Sequence, residues 1–405
     1  MPKLRFKGFT DDWEQRKLNN VTDVRDGTHD SPNYVEFGHP FITSKNVKDG
    51  YINYDDVQYI SDNDFEQINR RSKVDVDDIL MGMIGTIGNL ALIREEPDFA
   101  IKNVALIKHT GGANPFFLYS YLQADNVSKQ LGNVLAGGTQ NFISLRNIRE
   151  LDVSIPNMQE QNKIGKYFAS VDSLITLHQR KCDELQKVKK YMLQKMFPKK
   201  GEKVPEIRFA GFTGDWEQRK LGEFVNFSKG TGYSKGDLQE SGTPIILYGR
   251  LYTKYETVIS NVDTFAEEKP NSVFSKGGEV VVPASGETAE DIAVASVVDQ
   301  SGVLLGGDLN VIAPPSYLDS AFLAISISNG KSHSDMAKMA QGKSVVHLHN
   351  YDLAKIDLPY PSYEEQYRIS QHFKNIDNLI TLHQRKHDTL KEIKKYMLQN
   401  MFPKK

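Results

Sequence analysis

The strongest constraint on this chain of 405 residues is an eight-residue stretch that occurs twice. Leu174–Lys181 returns unchanged at Leu379–Lys386, 205 positions later. Each copy lies in a longer segment, Glu160–Phe197 or Glu365–Phe402, whose apolar residues recur at steps of three or four. That period predicts two long amphipathic helices around which the rest of the chain is organised.

Each predicted helix carries one narrow apolar stripe, which favours packing against a second helix. The other copy in the same chain is the simplest partner, and two like halves imply a pseudo-two-fold axis, so antiparallel packing with one globular domain at each end is expected. About 37 residues at 1.5 Å per residue give a helix of roughly 55 Å. The seam between the helices is predicted to contain Ile164, Phe168, Val171, Ile175, His178 and Leu185, and Ile369, Phe373, Ile376, Ile380, His383 and Leu390.

The two histidines of the seam, His178 and His383, occupy equivalent positions. We interpret them as polar residues that fix the register of the helices. A pH switch is the alternative, and no second feature of the sequence supports it. Each helix segment ends in Phe-Pro-Lys-Lys, where proline stops the helix.

A second repeat opens each half of the chain. Leu4–Leu18 and Ile207–Leu221 are identical at twelve of fifteen positions and contain the only tryptophans, Trp13 and Trp216. We interpret these tryptophans as hydrophobic anchors that dock each half onto the helices. An aromatic ligand site is the alternative.

The segments between these repeats, 19–155 and 222–355, differ from each other and mix strand and helix patterns. Strands are predicted at Ala91–Ile93, Val104–Ile107, Val280–Pro283 and Ile292–Val298, and helices at Pro115–Gln123 and Tyr317–Ser328. The predicted fold class is mixed α/β (α+β), with two globular domains in tandem and two long antiparallel helices. The predicted boundaries are a first domain at 1–157, a helix at 158–198, a linker at 199–206, a second domain at 207–362 and a helix at 363–405.

Composition excludes several classes of protein. No run approaches the 18 or more apolar residues of a membrane span, and no signal peptide is recognisable, so the cytoplasm is the expected location. The single cysteine, Cys182, excludes an internal disulfide and a cysteine-rich metal site. The net charge of −2 argues neither for nor against nucleic-acid binding.

The segments that resemble catalytic motifs lack required residues. Asn114–Phe117 lacks the second proline of the adenine methyltransferase motif, and a helix start explains it better. Gly342–Ser344 resembles the end of a phosphate loop, but Ala337 stands where that loop needs glycine. His347 and His349 alternate in a predicted strand without enough further ligands for a metal, which favours a surface or DNA-facing role. The sequence therefore predicts neither an enzyme nor a metal site.

The whole chain resembles the specificity subunits of type I restriction-modification systems. The resemblance rests on the duplicated layout, the Trp-Glu-Gln-Arg-Lys-Leu openings and the repeated helices, together with two Pro-x-x-x-Glu-Gln-x-x-Ile junctions that begin at Pro156 and Pro361. It implies that each variable segment is a target recognition domain that reads one half of a split, asymmetric sequence in double-stranded DNA. It also implies that the helices act as a spacer.

The same resemblance implies partners and cofactors. Two modification subunits carry S-adenosylmethionine and methylate adenine, and restriction subunits supply cleavage with ATP and Mg. The specificity subunit itself is then expected to hold no catalytic residue, cofactor or metal.

DNA contacts are expected from polar and basic residues in the loops, since these residue types read base edges and phosphates. In the first domain we select Arg25, Thr28, His29, Lys45, Asn46, Thr139, Gln140 and Asn141. In the second domain we select Lys229, Tyr233, Lys235, Tyr248, Arg250, Tyr252, Lys343, Ser344 and His347.

Two other functions stay open at this point. A self-sufficient methyltransferase or nuclease would need the cofactor and catalytic motifs that the sequence lacks. A stand-alone DNA-binding regulator on the same scaffold would bind its target tightly without partners, which the near-neutral charge disfavours.

Overall fold

The computed structural model describes residues 1–136, 142–199, 201–340 and 345–404. The chain divides into two compact units. Unit 1 comprises Met1–Gln179 and Gln384–Lys405, and unit 2 comprises Arg180–His383. The predicted boundaries treat the long helices as separate elements, whereas the compact units divide the chain inside both helices.

The two long helices are α5, Met158–Lys195, and α10, Tyr363–Asn400, with 38 residues each. The apolar periodicity thus predicted both helices, since Glu160–Phe197 and Glu365–Phe402 differ from them by about two residues at each end. The predicted boundaries 158–198 and 363–405 extend beyond the C-terminal ends of the helices. The other elements that precede α5 are β1 Glu14–Lys17, β2 Val24–Asp26, β3 Tyr34–Val35, β4 His39–Thr43, β5 Gln58–Ile60, α1 Asp62–Ser72, β6 Ile79–Gly82, β7 Leu90–Leu92, β8 Ala100–Lys102, β9 Val104–Ile107, α2 Pro115–Leu122, α3 Asp125–Ala136, α4 Leu145–Arg149 and β10 Asp152–Ile155.

Between the two long helices the chain forms the elements of unit 2. They are β11 Glu217–Lys220, β12 Asn226–Lys229, β13 Leu238–Gln239, β14 Thr243–Ile246, α6 Arg250–Thr253, β15 Val258–Ile259, β16 Phe265–Ala266, β17 Phe274–Lys276, β18 Glu279–Pro283, β19 Ser285–Gly286, β20 Ser296–Val298, β21 Ser301–Leu305, β22 Leu309–Ala313, α7 Ser320–Ser328, α8 Gly330–Met339, β23 Val346–His347, α9 Asn350–Leu353 and β24 Asp357–Tyr360.

The sheets of the two units share one plan. In unit 1 one sheet has the order β2-β9-β6-β7 and a second has β3-β5-β4-β8, while β1 pairs with β10. In unit 2 the corresponding orders are β12-β22-β18-β20-β15 and β13-β16-β14-β21-β17, and β11 pairs with β24. Unit 2 therefore adds one strand to each sheet, β15 at the edge of the first and β17 at the edge of the second.

One predicted strand is too long. Only Ser296–Val298 of the expected Ile292–Val298 strand pairs in the sheet. The preceding residues turn because Thr288 and Asp291 hydrogen-bond each other's backbone N–H, both at 3.1 Å. The other three predicted strands and both short helices are present, with ends shifted by up to three residues.

The core of unit 1 lies where the first sheet packs on α2 and on both long helices. Trp13 makes edge-on contacts with Phe117 of α2 and with Phe402, which follows α10. Phe402 is only 2% exposed and stacks on Phe168 of α5 with ring centroids 5.7 Å apart. The tail of α10 therefore completes the core around α5.

Unit 2 repeats this arrangement with the tail of the other helix. Trp216 contacts Phe197, which follows α5, and Phe322 of α7. Phe197 stacks on Phe322 and lies 6.4 Å from the ring of Phe373 in α10. The prediction that the tryptophans anchor each half to the helices is confirmed, and each half receives the phenylalanine that ends the helix of the other half.

A buried ion pair joins each opening repeat to the start of a long helix. In unit 1 the Arg5 guanidinium donates to both carboxylate oxygens of Glu160 at 2.6 and 2.8 Å, and Glu160 is fully buried. In unit 2 Arg208 binds Glu365 in the same way at 2.6 and 2.7 Å. A bidentate arginine fixes geometry as well as charge, so each repeat is locked to its helix.

A glutamine of each helix organises the turn before it. The Gln161 side chain donates to the Pro156 carbonyl and accepts from the Asn114 N–H. Gln366 makes the same two bonds, to the Pro361 carbonyl and from the Asp319 N–H. Asn114 and Asp319 in turn cap α2 and α7, which explains the Asn-Pro element without any catalytic role.

The long helices run antiparallel within each unit. Lys394 binds Asp172 at 2.8 Å in unit 1, and Lys189 binds Asp377 at 2.5 Å in unit 2. The seam residues at the start of each helix are buried, while the later ones are half-buried. Ile164 and Phe168 belong to the core of unit 1, and Ile369, Phe373 and Ile376 to that of unit 2. The apolar stripe thus packs against the globular part as well as the other helix.

Candidate nucleic-acid interface

In unit 1 several loops meet at one end of the two sheets. The Gly27–Ser31 turn pairs with the end of β8, since Thr28 donates to the Ile101 carbonyl and accepts from the Asn103 N–H. The Ser44 hydroxyl donates to the Asn103 carbonyl at 2.5 Å and accepts from the Met83 N–H. We call this surface loop face 1, formed by Gly27–Ser31, Ser44–Asn46, Met83–Gly88 and Asn103.

His29 is the titratable group at the centre of loop face 1. Its ring nitrogens lie 2.7 Å from the Asn103 Oδ1 and 2.9 Å from the Asp26 Oδ2, and Asp26 also binds Arg71 at 2.5 Å. The hydrogen bond to Asn103 and then the one to Asp26 raise the pKa of His29 above its ordinary value. The side chain is 61% exposed, so the imidazole ring is presented to solvent.

Unit 2 brings the equivalent loops together. Gly230 and Thr231 donate to the carbonyls of Leu309 and Leu305, and Ser285 donates to the Asp308 carboxylate at 3.0 Å. Ser285–Gly286 pairs with Val346–His347. We call this surface loop face 2, formed by Ser228–Tyr233, Ser285–Gly286, Asp308 and Val346–His347.

Backbone conformation supports the equivalence of the two faces. Asn103 and Asp308 lead into β9 and β22 with φ of 52° and 57°, a left-handed conformation that asparagine and aspartate tolerate better than most residues. Both carry a polar side chain into the centre of the loop face.

An aromatic series begins at His347 on loop face 2, where loop face 1 has the ionic cluster of Asp26, His29 and Arg71. The rings of His347 and His349 are parallel with centroids 6.4 Å apart, and His349 stacks on Tyr351 at 5.2 Å. His347 and Tyr351 are exposed. Among the residues that the structure describes, no three His, Cys, Asp or Glu side chains are grouped so that they could hold a metal ion.

One family model matches two segments that together span most of the chain. Its description is "Type I restriction modification DNA specificity domain", and it covers residues 10–187 and 213–392. The chain belongs to this family of type I restriction-modification specificity subunits. It is therefore a non-catalytic DNA-recognition subunit with two recognition domains, and its partners are DNA and the methylase and restriction subunits of such a complex.

Individual relatives span the same length as this specificity subunit. A putative type I restriction enzyme MjaX specificity subunit from Methanocaldococcus jannaschii is 24% identical over 414 residues, which cover 98% of this chain and 94% of the relative. The MjaVIII specificity subunit of the same organism is 23% identical over 90% of this chain and 88% of its own. The crystal structure of the S subunit from M. genitalium shares the fold with a TM-score of 0.66 at 15% identity and covers 100% of this chain and 99% of that one.

Some residues selected as DNA contacts in the specificity subunit are on exposed surfaces. Thr28, His29 and Lys45 lie on loop face 1, with Arg25 exposed beside it, bound to Asp23 and the Arg71 carbonyl. Lys229 and His347 lie on loop face 2, with exposed Lys235 near it. Contact with DNA stays a prediction for all of them. The selected Thr139, Gln140, Asn141, Lys343 and Ser344 lie outside the described residues.

Three further selected residues make internal contacts. Asn46 is 2% exposed, and its amide accepts from Thr43 and donates to the Asn53 carbonyl, so it caps a turn. Tyr233 is 6% exposed, and its hydroxyl accepts from the Lys269 N–H. The Arg250 side chain is 8% exposed and binds Glu256 and Asp263. Their side chains are engaged inside the domain, and contact with DNA stays a prediction for these three as well.

Tyr248 and Tyr252 are half-buried beside each other, with ring centroids 6.3 Å apart. Burial raises the pKa of Tyr252 above its ordinary value. They contribute to the packing around α6, and their role toward DNA stays a prediction.

The sequence reasoning missed residues in and around loop face 1. Asn103 contacts the His29 ring, and Lys102 pairs with Thr28. Arg71 shares Asp26 with His29, although it comes from a distant helix and only the fold brings it near. Ile84 and Phe142 form an isolated antiparallel bridge and are 47% and 44% exposed. The Gly82–Gly88 turn was recognisable, but its position beside the Ser44 turn depends on β6 and β4 lying in different sheets.

Within the described ranges, no helix combines the length and apolar character needed to cross a membrane.

Proposed function

We propose that this specificity subunit directs adenine methylation and restriction to a split, asymmetric DNA sequence, with one half-site read by each loop face. The observation that carries the proposal is the pairing of identical scaffold contacts with different loop faces. Arg5–Glu160 and Arg208–Glu365 match atom for atom, whereas His29 on loop face 1 is replaced by Gly232 on loop face 2. Two different DNA-reading surfaces on one repeated scaffold favour a DNA target without two-fold symmetry.

We propose that the long helices set the gap between the half-sites. Both α5 and α10 contain 38 residues, and their seam is held by apolar contacts and by the Asp172–Lys394 and Lys189–Asp377 pairs. Ile175 and Ile380 lie at half-buried positions of this seam. Replacing both with Asp places charge in the seam and is expected to abolish methylation at the native spacing. Methylation of the same motif by the double variant would refute the spacer role.

We further propose that two modification subunits bind, one to each end of the helix pair. Unit 1 exposes Leu174, Leu177, Ile393 and Tyr396, and unit 2 exposes the equivalent Leu379, Leu382, Val188 and Tyr191, all between 40% and 58%. Apolar groups at helical spacing on a surface are typical of a groove or face that receives a partner helix. Duplication of the set supports two equivalent partners.

The stoichiometry can be tested by removing one face at a time. The Leu174→Asp, Leu177→Asp variant is expected to bind one modification subunit instead of two in native mass spectrometry, and Leu379→Asp, Leu382→Asp is its matched counterpart. Retention of two subunits by both variants would contradict the proposed docking faces.

The cofactors follow from this assignment. We propose that the chain binds none itself, that S-adenosylmethionine is held by the modification subunits, and that ATP and Mg act in the restriction subunits. The complex would then work in the cytoplasm, where its DNA substrate is.

Genome-wide mapping of N6-methyladenine tests the central proposal. Cells that produce the modification subunit with this chain are expected to methylate one bipartite asymmetric motif, and cells without the chain are expected to lack it. A soluble complex with no such motif would favour a stand-alone DNA-binding regulator. Specific DNA binding by the chain alone would then be the deciding measurement.

A further inference from the structure

The two recognition domains differ at one edge of their first sheet. In unit 2, β15 joins the edge strand β20, since the N–H groups of Val297 and Asp299 donate to the carbonyls of Thr257 and Ile259 at 2.9 and 3.2 Å. In unit 1 the corresponding edge strand is β7, and no strand follows it in the sheet order. The fifth strand of this sheet is therefore present in one half of the chain only.

The backbone of β7 shows which groups are left at that edge. Ile93 exchanges hydrogen bonds with the turn before β6, because it donates to the Asp78 carbonyl and accepts from the Asp77 N–H. The N–H groups of Leu92 and Arg94 alternate with that of Ile93 and point away from β6. Among the described residues, no hydrogen bond outside the β6–β7 ladder is found for the N–H of either, and a backbone bond along this edge runs from the Gly50 N–H to the Leu90 carbonyl.

A cleft of about 940 Å³ adjoins this edge in unit 1, whereas the equivalent cleft of unit 2 has about 260 Å³. Three positions of α5 line the first cleft, Asp172, Ile175 and Thr176, and their counterparts Asp377, Ile380 and Thr381 line the second. In unit 2 the segment Tyr255–Ser260 occupies the space, and the Thr257 hydroxyl donates to Asp377 at 3.4 Å.

The chain between the neighbouring strands explains the difference. Unit 2 uses residues 247–264 to connect β14 with β16, and this connection contains β15. Unit 1 uses the shorter stretch 44–57 between β4 and β5, which closes on itself by pairing Val47 with Ile52. Its tip donates a backbone hydrogen bond to β7, from the Gly50 N–H to the Leu90 carbonyl.

We infer that the unit 1 cleft binds an extended segment of a modification subunit, which adds to β7 as the strand that unit 2 supplies from its own chain. An exposed sheet edge with a neighbouring groove is the usual receptor for strand addition, in which main-chain bonds give affinity and side-chain pockets give selectivity. This inference rests on the proposed assembly with modification subunits.

The chemistry of the cleft defines the segment that fits. Lys391, Lys394 and Lys395 of α10 line it together with Arg94, against the carboxylates of Asp49, Asp125 and Asp172. Asp172 is already paired with Lys394. The segment is therefore acidic, with a β-branched apolar pair for the edge and a hydroxyl near Asp172, as in the Glu256-Thr257-Val258-Ile259 sequence of unit 2.

Hydrogen exchange of the full-length subunit, alone and in complex with the modification subunit, tests the inference with an internal control. The amides of Leu92 and Arg94 are expected to exchange at least about tenfold more slowly in the complex, equivalent to about 1.4 kcal/mol of protection. The amides of Val297 and Asp299 are expected to be protected in both states, because β15 already covers them.

Each other outcome overturns the inference in a different way. Unchanged exchange at Leu92 and Arg94 in an intact complex would refute strand addition and leave the proposed function standing. Protection that appears only after DNA is added would identify DNA as the occupant, and protection in the free chain would mean that the chain covers its own edge. Failure of the two subunits to co-purify would instead refute the proposed assembly, and this inference with it.

A proline variant gives a second readout. Arg94→Pro removes an N–H that has no internal partner, so the fold is expected to persist while affinity for the modification subunit falls at least about tenfold, since proline blocks edge pairing. Glu96→Pro, in the exposed loop beyond the edge, is the matched control and is expected to bind normally. Equal affinity of both variants would contradict the inference.

Discussion

Units 1 and 2 agree wherever side chains are buried between the opening repeat, the short capped helix and the long helices, and they differ on the loop faces and at the edge of the first sheet. Trp13, Phe117, Phe168 and Phe402 form the same aromatic cluster as Trp216, Phe322, Phe373 and Phe197. A close-packed cluster tolerates few changes, because added or lost volume is felt by every neighbour. Exposed loops lack this constraint, so the repeated frame can carry two different DNA-reading surfaces.

The aromatic clusters provide the severest test of this equivalence. Phe402→Ala and Phe197→Ala are each expected to lower the free energy of unfolding by about 3–5 kcal/mol, the usual cost of a buried phenylalanine. Because Trp13 contacts Phe402 and Trp216 contacts Phe197, fluorescence in Trp216→Phe and Trp13→Phe backgrounds reports each unit separately.

Tyr396→Ala is the control for these variants, since Tyr396 is 58% exposed. It is expected to change the unfolding free energy by less than about 0.5 kcal/mol. If Phe402→Ala perturbed Trp216 as strongly as Trp13, the two clusters would not be independent.

The ion pairs give the next largest effect. Arg5→Ala leaves the Glu160 carboxylate buried without its partner, and Arg208→Ala does the same to Glu365, so each is expected to cost about 3 kcal/mol in urea unfolding at neutral pH. The loss should shrink in acid, where the abandoned carboxylate can be protonated. A double Arg5→Met, Glu160→Met variant should recover most of the lost free energy of unfolding, because it leaves no buried charge. If it does not, the ion pair contributes to stability in a further way than by neutralising the buried carboxylate.

The loop faces should show separable effects on DNA. Lys45→Gln on loop face 1 and Lys229→Gln on loop face 2 each remove one exposed cation. If both lysines contact phosphate, each variant lowers the slope of log affinity against log salt by about one. Fluorescence anisotropy of the assembled methylase on its own target measures this. A response from one variant only would restrict phosphate contact to that loop face.

The smallest expected effect is a pH dependence that arises from His29 on loop face 1. The hydrogen bonds to Asn103 and Asp26 raise the pKa of His29, so its stabilising contribution is full below about pH 6.5, the ordinary value, and is lost as pH rises through the raised one. DNA affinity should fall over the same interval. The His29→Gln variant should show neither dependence, and an unchanged pH profile in that variant would show that other groups titrate.

The sequence was sufficient for features that depend on local periodicity and on repetition. Both long helices follow from steps of three and four, and the anchoring role of Trp13 and Trp216 follows from their place in a repeat. The sheet orders could not be derived, because pairing such as β9 between β2 and β6 joins residues far apart in the chain. Polar residues were the hardest to assign, since Asn46 and Tyr233 have side chains that suit DNA contact and internal capping equally well, and their internal bonds depend on the fold.

One pair of backbone hydrogen bonds has a consequence for the connectivity of the molecule. The Leu4 N–H donates to the Asn400 carbonyl in unit 1, and the Ile207 N–H donates to the Lys195 carbonyl in unit 2, both at 2.8–2.9 Å. The connector 199–206 also links the partners of the second bond through the chain, whereas Leu4 and Asn400 are far apart in the sequence. The first bond therefore brings Leu4 and the end of α10 close enough for a short covalent link. A circular permutant that links Phe402 to Leu4 and opens the connector would keep every buried contact described for either unit, while reversing the order in which the two half-site readers are encoded.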